Sequence, residues 1–425
     1  MKTTRTLHLF TVNAYWPGIA FLWNSLHLIV LPAMLLTMVD PARKNTALGL
    51  LTFAGLVLAT LVQPLSGALS DGSTSRLGRR RPWMVLGTAF DLGFLAIIAA
   101  SRDIPTLALG YLGLQLSSNL AHGPAQGLMH DRVPAGQMGR ASGIKNLLDM
   151  SGLVASSLLV GRLISPTDPD PSLAMAWIAG VLVVGLLIVV FAVREAPPPQ
   201  SSESLRMRLR AAFQLDLRAS PAFGRLIAGR FIFLLSVYPI QAFAQYYVRD
   251  RLNAPNPVEL TGNLMAAIVL SLIAFSVLGG YLVDRLGRRR MHVVAAILVG
   301  IGSLLMLPAR SPGVVLVFGS IVGAGIGVFL TANWALANDL APMGQAGKYL
   351  GLTNIATAGA GATSRLAGPI IDGLNLAAPG QFLGYAALFV GAAVLSSLSL
   401  LALRRLPELV AVKPRESDPP ALTPY

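Results

Sequence analysis

Apolar stretches long enough to cross a bilayer recur about twelve times along this chain, with little between them, and that repetition constrains the fold more than any other feature. A spanning helix needs ~20 mostly apolar residues, because the hydrocarbon core is about 30 Å thick and a helix rises about 1.5 Å per residue. By that rule the runs are 9–37, 46–70, 82–101, 104–130, 141–164, 172–193, 222–248, 260–283, 292–309, 312–338, 348–372 and 381–405. Within lipid the backbone must satisfy its own hydrogen bonds, so each run is expected to be a helix. Composition agrees: 54% of the 425 residues are hydrophobic and only 12% are charged, roughly half the charge of a soluble domain. The expectation is an all-α, multi-pass membrane protein with twelve transmembrane helices, surrounded by lipid.

The net charge of +14 could on its own suggest a nucleic-acid partner. Its distribution argues for the membrane instead. Arg76, Arg79, Arg80 and Arg81 lie between runs two and three, and Arg285, Arg288, Arg289 and Arg290 between eight and nine. Arg194, Arg206, Arg208, Arg210 and Arg218 lie between six and seven, and Lys2, Arg5, Arg404 and Arg405 at the ends. In a twelve-helix layout all of these fall on one face. Cytoplasmic loops carry excess Lys and Arg, so that face and both termini are expected in the cytoplasm, the membrane is the plasma (inner) membrane, and no nucleic acid is involved. No cleavable signal peptide is evident. There is no cysteine, the five histidines lack ligand spacing, and no P-loop occurs. No catalytic group, metal site or cofactor is expected, and the chain does not read as an enzyme.

The chain repeats itself. Asp131, Pro134, Gln137, Gly139, Gly143 and Asn146 are matched 208 positions later by Asp339, Pro342, Gln345, Gly347, Gly351 and Asn354. Gly78 to Arg81 are matched 209 positions later by Gly287 to Arg290, and Asp71 is matched by Asp284. The expected organisation is two parallel six-helix pseudo-repeats, residues 1–193 and 222–405. A cytoplasmic linker, 194–221, joins them, and a Pro-rich disordered tail follows, 406–425. Leu205, Leu209 and Phe213 recur at helical spacing among arginines, which predicts an amphipathic helix on the inner membrane surface. Parallel halves of this kind place a solute site between them near the bilayer midplane.

The motif Gly-x-Leu-x-Asp followed by Gly-Arg-Arg-Arg, present twice, resembles the loop signature of the major facilitator superfamily. The resemblance covers nearly the whole chain and implies the major facilitator fold and a transporter. A narrower likeness joins "LVQPLSGALSDGSTSRLGRRRPW" (61–83) and "HGPAQGLMHD" (122–131) to the sucrose and glycoside–cation symporters. It implies symport of a sugar or similar small polar solute with a proton. Where those transporters carry an aspartate and an arginine in the fourth helix, this chain has Gln115 and Gln126. A proton-driven exporter of drugs or metabolites and a transporter-like sensor or assembly factor remain alternatives. A monomer is expected.

Arginine's planar fork can bridge two carboxylates. Asp71, Arg79, Arg80 and Asp131, repeated as Asp284, Arg288, Arg289 and Asp339, are therefore read as gating groups that form when the inner gate is closed and break when it opens. Gly67 and Gly280 are expected to let the halves approach closely beside them. Charge at membrane depth is costly and usually functional, so Asp149, Asp91 and His27 are candidates for proton coupling. Candidates for solute binding are Trp23, Asn24 and His27 in the first helix and the stripe Gln115, Asn119, His122 and Gln126 in the fourth. Arg230, Gln241, Gln245, Asn333 and Trp334 could complete the site from the second half.

Overall fold

The computed structural model describes residues 6–75, 77–165, 170–195, 220–340 and 346–404; the side chains of Ala135, Asp284 and residues 346–351 fall outside that description. The amphipathic helix expected near 205–213, the tail from 406 and Arg76 also lie outside it.

Twelve helical spans follow one another among the described residues. They are α1 (Thr6–Met38), α2 (Lys44–Asp71), α3 (Arg81–Ala100), α4 (Ile104–Arg132), α5 (Met138–Leu163) and α6 (Ser172–Ala192). Then come α7 (Pro221–Ala242, continued by Ala244–Leu252), α8 (Pro257–Leu286), α9 (Arg288–Leu305) and α10 (Pro312–Leu340). The last two are α11 (Ala346–Ser364 and Ala367–Ala377) and α12 (Leu383–Leu403). Eight are long and apolar enough to cross a membrane by composition alone: α1, α2, α3, α6, α7, α8, α10 and α12. The other four carry more polar residues. Large apolar side chains such as Phe191, Val277 and Leu109 lie exposed on the outer faces, as a lipid solvent permits.

The packing repeats as the sequence does. Within the first half α2 packs on α4, α3 on α4, α1 on α5 and α6, and α3 on α6. Each pairing recurs six spans later: α8 on α10, α9 on α10, α7 on α11 and α12, and α9 on α12. The halves meet through α5 against α8 and its counterpart, α11 against α2.

Both turns that lead into the arginines use a left-handed glycine, Gly78 at φ +103° and Gly287 at φ +87°. A side chain at either would be strained. The second turn is so tight that Gly287 alone separates α8 from α9, so Arg288–Arg290 form the first turn of α9.

Three spans are broken. In α1 the stretch Leu26–Val30 is a π turn, a local widening that often marks functional positions. Phe243 interrupts α7, and Arg365 and Leu366 interrupt α11.

Candidate functional site

The seam between the halves is tight at the end remote from the arginine loops. A Cβ on Gly49 of α2 would stand 2.4 Å from the Arg365 carbonyl oxygen, and one on Gly368 would stand 2.2 Å from the Asn45 carbonyl oxygen. On the other side of the seam, a Cβ on Gly262 would stand 2.2 Å from the Ser157 carbonyl oxygen. One on Gly161 would be 3.3 Å from the Val258 oxygen. These two contact sets are images of each other under the internal repeat: Asn45 and Gly49 correspond to Val258 and Gly262, and Ser157 to Arg365. Polar bonds reinforce this end. Lys44 pairs with Asp250 (2.5 Å), Asn45 and the Thr46 amide both donate to Asp372 (2.8 and 2.6 Å), Tyr246 donates to the Pro32 carbonyl, and Arg162 faces Glu259 (3.5 Å).

At the arginine-loop end no such close contact between the halves occurs among the described residues. Among the described residues, a Cβ on Gly67, Gly139 or Gly143 would meet nothing within 4 Å, and one on Gly280 would meet only Thr331 of its own half at 3.8 Å. In this conformation Gly67 and Gly280 therefore seat no close approach of the halves among the described residues. Close approach is made at the other end, where small residues on α2, α5, α8 and α11 bring backbones together.

The loop charges also behave differently from expectation. Arg79 makes a fork-like pair with Asp131, and Arg80 reaches Asp71, Asp131 (2.9 Å) and the Ser70 hydroxyl (2.5 Å). Arg288 pairs with Asp339 in the second half, Asp284 lies in the last turn of α8, and Arg289 is exposed on α9. Each set closes within one half, and no close contact joins the halves beside it among the described residues. It therefore ties the ends of α2 and α4, or the start of α9 and the end of α10, into one bundle; it does not fasten one half to the other. Glu195, just beyond α6, completes the first set. Only 4% of its side chain is exposed, and it accepts from the backbone amides of Arg79, Arg80 and Arg81 (2.8–2.9 Å).

Between the two ends lies a layer of buried polar groups. His27, in the π turn of α1, stacks on Trp23 (5.2 Å between centroids) and hydrogen-bonds the Tyr111 hydroxyl (2.9 Å). Gln115 donates to the same hydroxyl (2.8 Å), and Asn119 donates back to the Gln115 carbonyl (2.8 Å). His122 meets the Trp16 ring edge-on, Gln126 sits 3.4 Å from it, and Lys145 lies over Trp16 (3.8 Å) while pairing with Asp149 (2.6 Å). From the second half, Arg230 donates to Asn333 (2.7 Å) and Thr357 (3.0 Å). Arg365 lies buried within electrostatic reach of His27, Tyr111 and Tyr238.

Some candidates have other occupations. Asn24 donates to Ser156 (2.7 Å) and Ser157 (2.9 Å) and so joins α1 to α5. Gln245 donates to the Leu28 and Ile29 carbonyls (3.1 and 3.0 Å), two groups of the π turn, and so bonds across the seam. Asp91 is buried inside the first bundle, where it accepts from Ser117. Trp334 is 39% exposed and follows the fully buried Asn333, so it projects about 100° away from it around α10. Gln241 is half-buried on α7. Sequence reading passed over Tyr111, Lys145, Glu195 and Arg365. Lys145 and Asp149 at i, i+4, and a lone arginine inside an apolar run, were signals available for two of them.

A sequence model described as Major Facilitator Superfamily matches residues 4–364 and again 259–424. An uncharacterized symporter, YnaJ, of Bacillus subtilis is 24% identical over 69% of this chain and 66% of its own length. The shikimate transporter of Escherichia coli is 25% identical over 64% and 63%. MFS transporter asaE of Aspergillus flavus is 26% identical over 52% and 48%. The matched stretches thus span about half to two thirds of these relatives' lengths. Among solved structures, a bacterial homolog of the human lysosomal transporter Spinster superposes with a TM-score of 0.75 at 15% identity, covering 96% of this chain and 98% of that one. The nucleoside transporter NupG gives 0.70 at 13% identity over 94% and 98%. At such identities the likeness shows a shared fold.

Proposed function

Because this chain belongs to the Major Facilitator Superfamily, we propose that it is a secondary transporter, not an enzyme, and that it moves a small polar solute of sugar or glycoside type by alternating access in symport with protons. The observation that carries the reading is the seam. Two repeated bundles close tightly on backbone contacts at one end, make no such contact at the other among the described residues, and hold a polar layer between. Relatives named as a symporter, a shikimate transporter and a minor myo-inositol transporter support small-solute transport.

With the arginine-loop face in the plasma-membrane cytoplasm, as loop charge favours, the conformation is inward-facing and both termini are cytoplasmic. The halves, 1–193 and 222–405, rock about the seam. Opening to the outside breaks the contacts of Gly49, Gly161, Gly262 and Gly368 and the Lys44–Asp250 pair. The Arg79–Arg80 network and its copy keep each bundle rigid during that movement. Trp23, His27, Tyr111 and Gln115 form the solute-facing wall of the first half. The Lys145–Asp149 pair supplies the coupling group: a proton taken by Asp149 dissolves the ion pair and frees Lys145.

Purified protein in liposomes, screened with sugars, polyols and their glycosides for solute-stimulated proton influx, tests this. Influx that depends on one solute class and saturates is the expected result. Solute movement without proton movement, or proton movement opposite to the solute, would overturn the symport reading.

A further inference from the structure

The internal repeat fails at one buried position, and the failure introduces a charge. Ser157 on α5 and Arg365 on α11 are counterparts: each offers its carbonyl oxygen to the glycine that closes the seam, Gly262 and Gly49 respectively. Their side chains differ completely. The Ser157 hydroxyl is satisfied within its own half, accepting from Asn24 (2.9 Å) and donating to the Leu153 carbonyl (2.9 Å). Arg365 is 8% exposed, and its Nε and one terminal nitrogen have no acceptor among the described residues. The groups that interact with it electrostatically are His27 and Tyr111 from the first half and Tyr238 from α7. No carboxylate is among them.

A guanidinium in this position is expensive to keep. Arginine does not shed its proton, and an unpaired buried charge costs several kcal/mol. The nearby carboxylates are engaged elsewhere: Asp250 by Lys44 and Tyr385, and Asp372 by Asn45 and the Thr46 amide. Arg230, the other buried arginine of the second half, is held by the neutral partners Asn333 and Thr357.

We propose that Arg365 is the anion anchor of the solute site, so that the transported molecule is a hydroxylated carboxylate, a sugar acid or related hydroxy acid. This rests on the transport reading above and narrows its substrate class. The carboxylate accepts a charge-assisted bond from Arg365 Nε or from its unsatisfied terminal nitrogen, according to the edge of the guanidinium it approaches. The hydroxylated body lies against Trp23, Tyr111 and Gln115, which offer a flat face and polar edges. The site sits directly beneath the closed end, and Arg365 is also a backbone contact of that closure. Filling it therefore bears on the seam itself.

Intrinsic fluorescence reports on Trp23, which stacks against His27 at this site. Detergent-purified full-length protein would be titrated with D-gluconate, D-galacturonate and quinate, and with D-glucose, D-galactose and methyl quinate as uncharged counterparts. Expected is a saturable response to at least one carboxylate at a concentration about tenfold or more below its neutral counterpart. Arg365→Gln should lose that preference and Arg365→Lys retain part of it, with gel filtration checking that each variant stays folded. Neutral counterparts that respond in the parent at the same concentrations as the carboxylates would overturn the anion anchor while leaving transport of a neutral solute standing. A carboxylate preference that survives Arg365→Gln would overturn it too. A silent panel counts against it as well, and the liposome flux assay then judges transport separately.

Discussion

Substituting Gly262 by alanine is the sharpest perturbation of the seam. The new Cβ would stand 2.2 Å from the Ser157 carbonyl oxygen, whereas ordinary van der Waals contact begins at 3.4 Å. The obstacle is backbone on a neighbouring helix, so no rotamer change relieves it, and α5 and α8 must separate by about 1.2 Å. Overpacking of this kind costs about 1–3 kcal/mol, and it falls only on the conformation in which this end is closed. At 1.4 kcal/mol per factor of ten, the closed-end state loses about 5- to 150-fold in population relative to the alternative. Because the chain has no cysteine, spin labels can be placed by Arg43→Cys and Leu376→Cys. Both lie at the remote end, Arg43 just before α2 and Leu376 on α11, across the other seam from the substitution. Pulsed EPR should show a single short distance in the parent and a dominant longer one in Gly262→Ala. Gly143→Ala, which meets nothing in this conformation, should leave the short distance in place. An unchanged distribution in Gly262→Ala would refute the idea that these glycines set the closed end and that the halves move as rigid bodies.

Glu195→Gln should lower thermal stability in detergent by about 1–3 kcal/mol, because one oxygen facing the Arg79–Arg81 amides becomes a second donor; a melting curve matching the parent would remove Glu195 from the network. Asp131→Asn should destabilise by about 1–3 kcal/mol, since it serves both Arg79 and the nearly buried Arg80. Asp71→Asn, on a half-exposed carboxylate, should cost less than about 1 kcal/mol, and the reverse order would refute this ranking. Asp149→Asn should abolish accumulation driven by a pH gradient while solute exchange across liposomes continues; accumulation that persists would exclude Asp149 as the proton carrier.

The fold was legible in the sequence because its determinants are coarse. Twelve apolar runs, one-sided arginines and a repeat of about 208 residues suffice for two parallel bundles, and the left-handed glycines Gly78 and Gly287 fall where the loop motif repeats. The site was less legible, for a physical reason. Hydrophobic period and loop charge record how each helix meets lipid and water, but not which of its polar groups are already satisfied by a neighbour. Asn24 and Gln245 read as solute ligands, yet each spends its donors on another helix. Glu195 reads as the start of a linker, yet its carboxylate caps three amides of a loop more than a hundred residues away.

The repeat itself offers a way to separate the two kinds of residue. Positions needed for alternating access must work in both halves, and the closing contacts of Gly49 and Gly262, like the Asp131 and Asp339 pairs, are present twice. A solute, by contrast, has no two-fold symmetry, so the residues that recognise it need have no counterpart. Arg365 against Ser157 is such a mismatch inside a duplicated contact. So is the pair Lys145–Asp149 against Thr353 and Thr357 at the corresponding positions of α11, of which Thr357 accepts from Arg230. On the proposed reading the duplicated residues serve the movement. The mismatched ones place positive charge on the second half and a titratable pair on the first, which is the division expected if anion binding and proton coupling are carried by opposite walls of one seam.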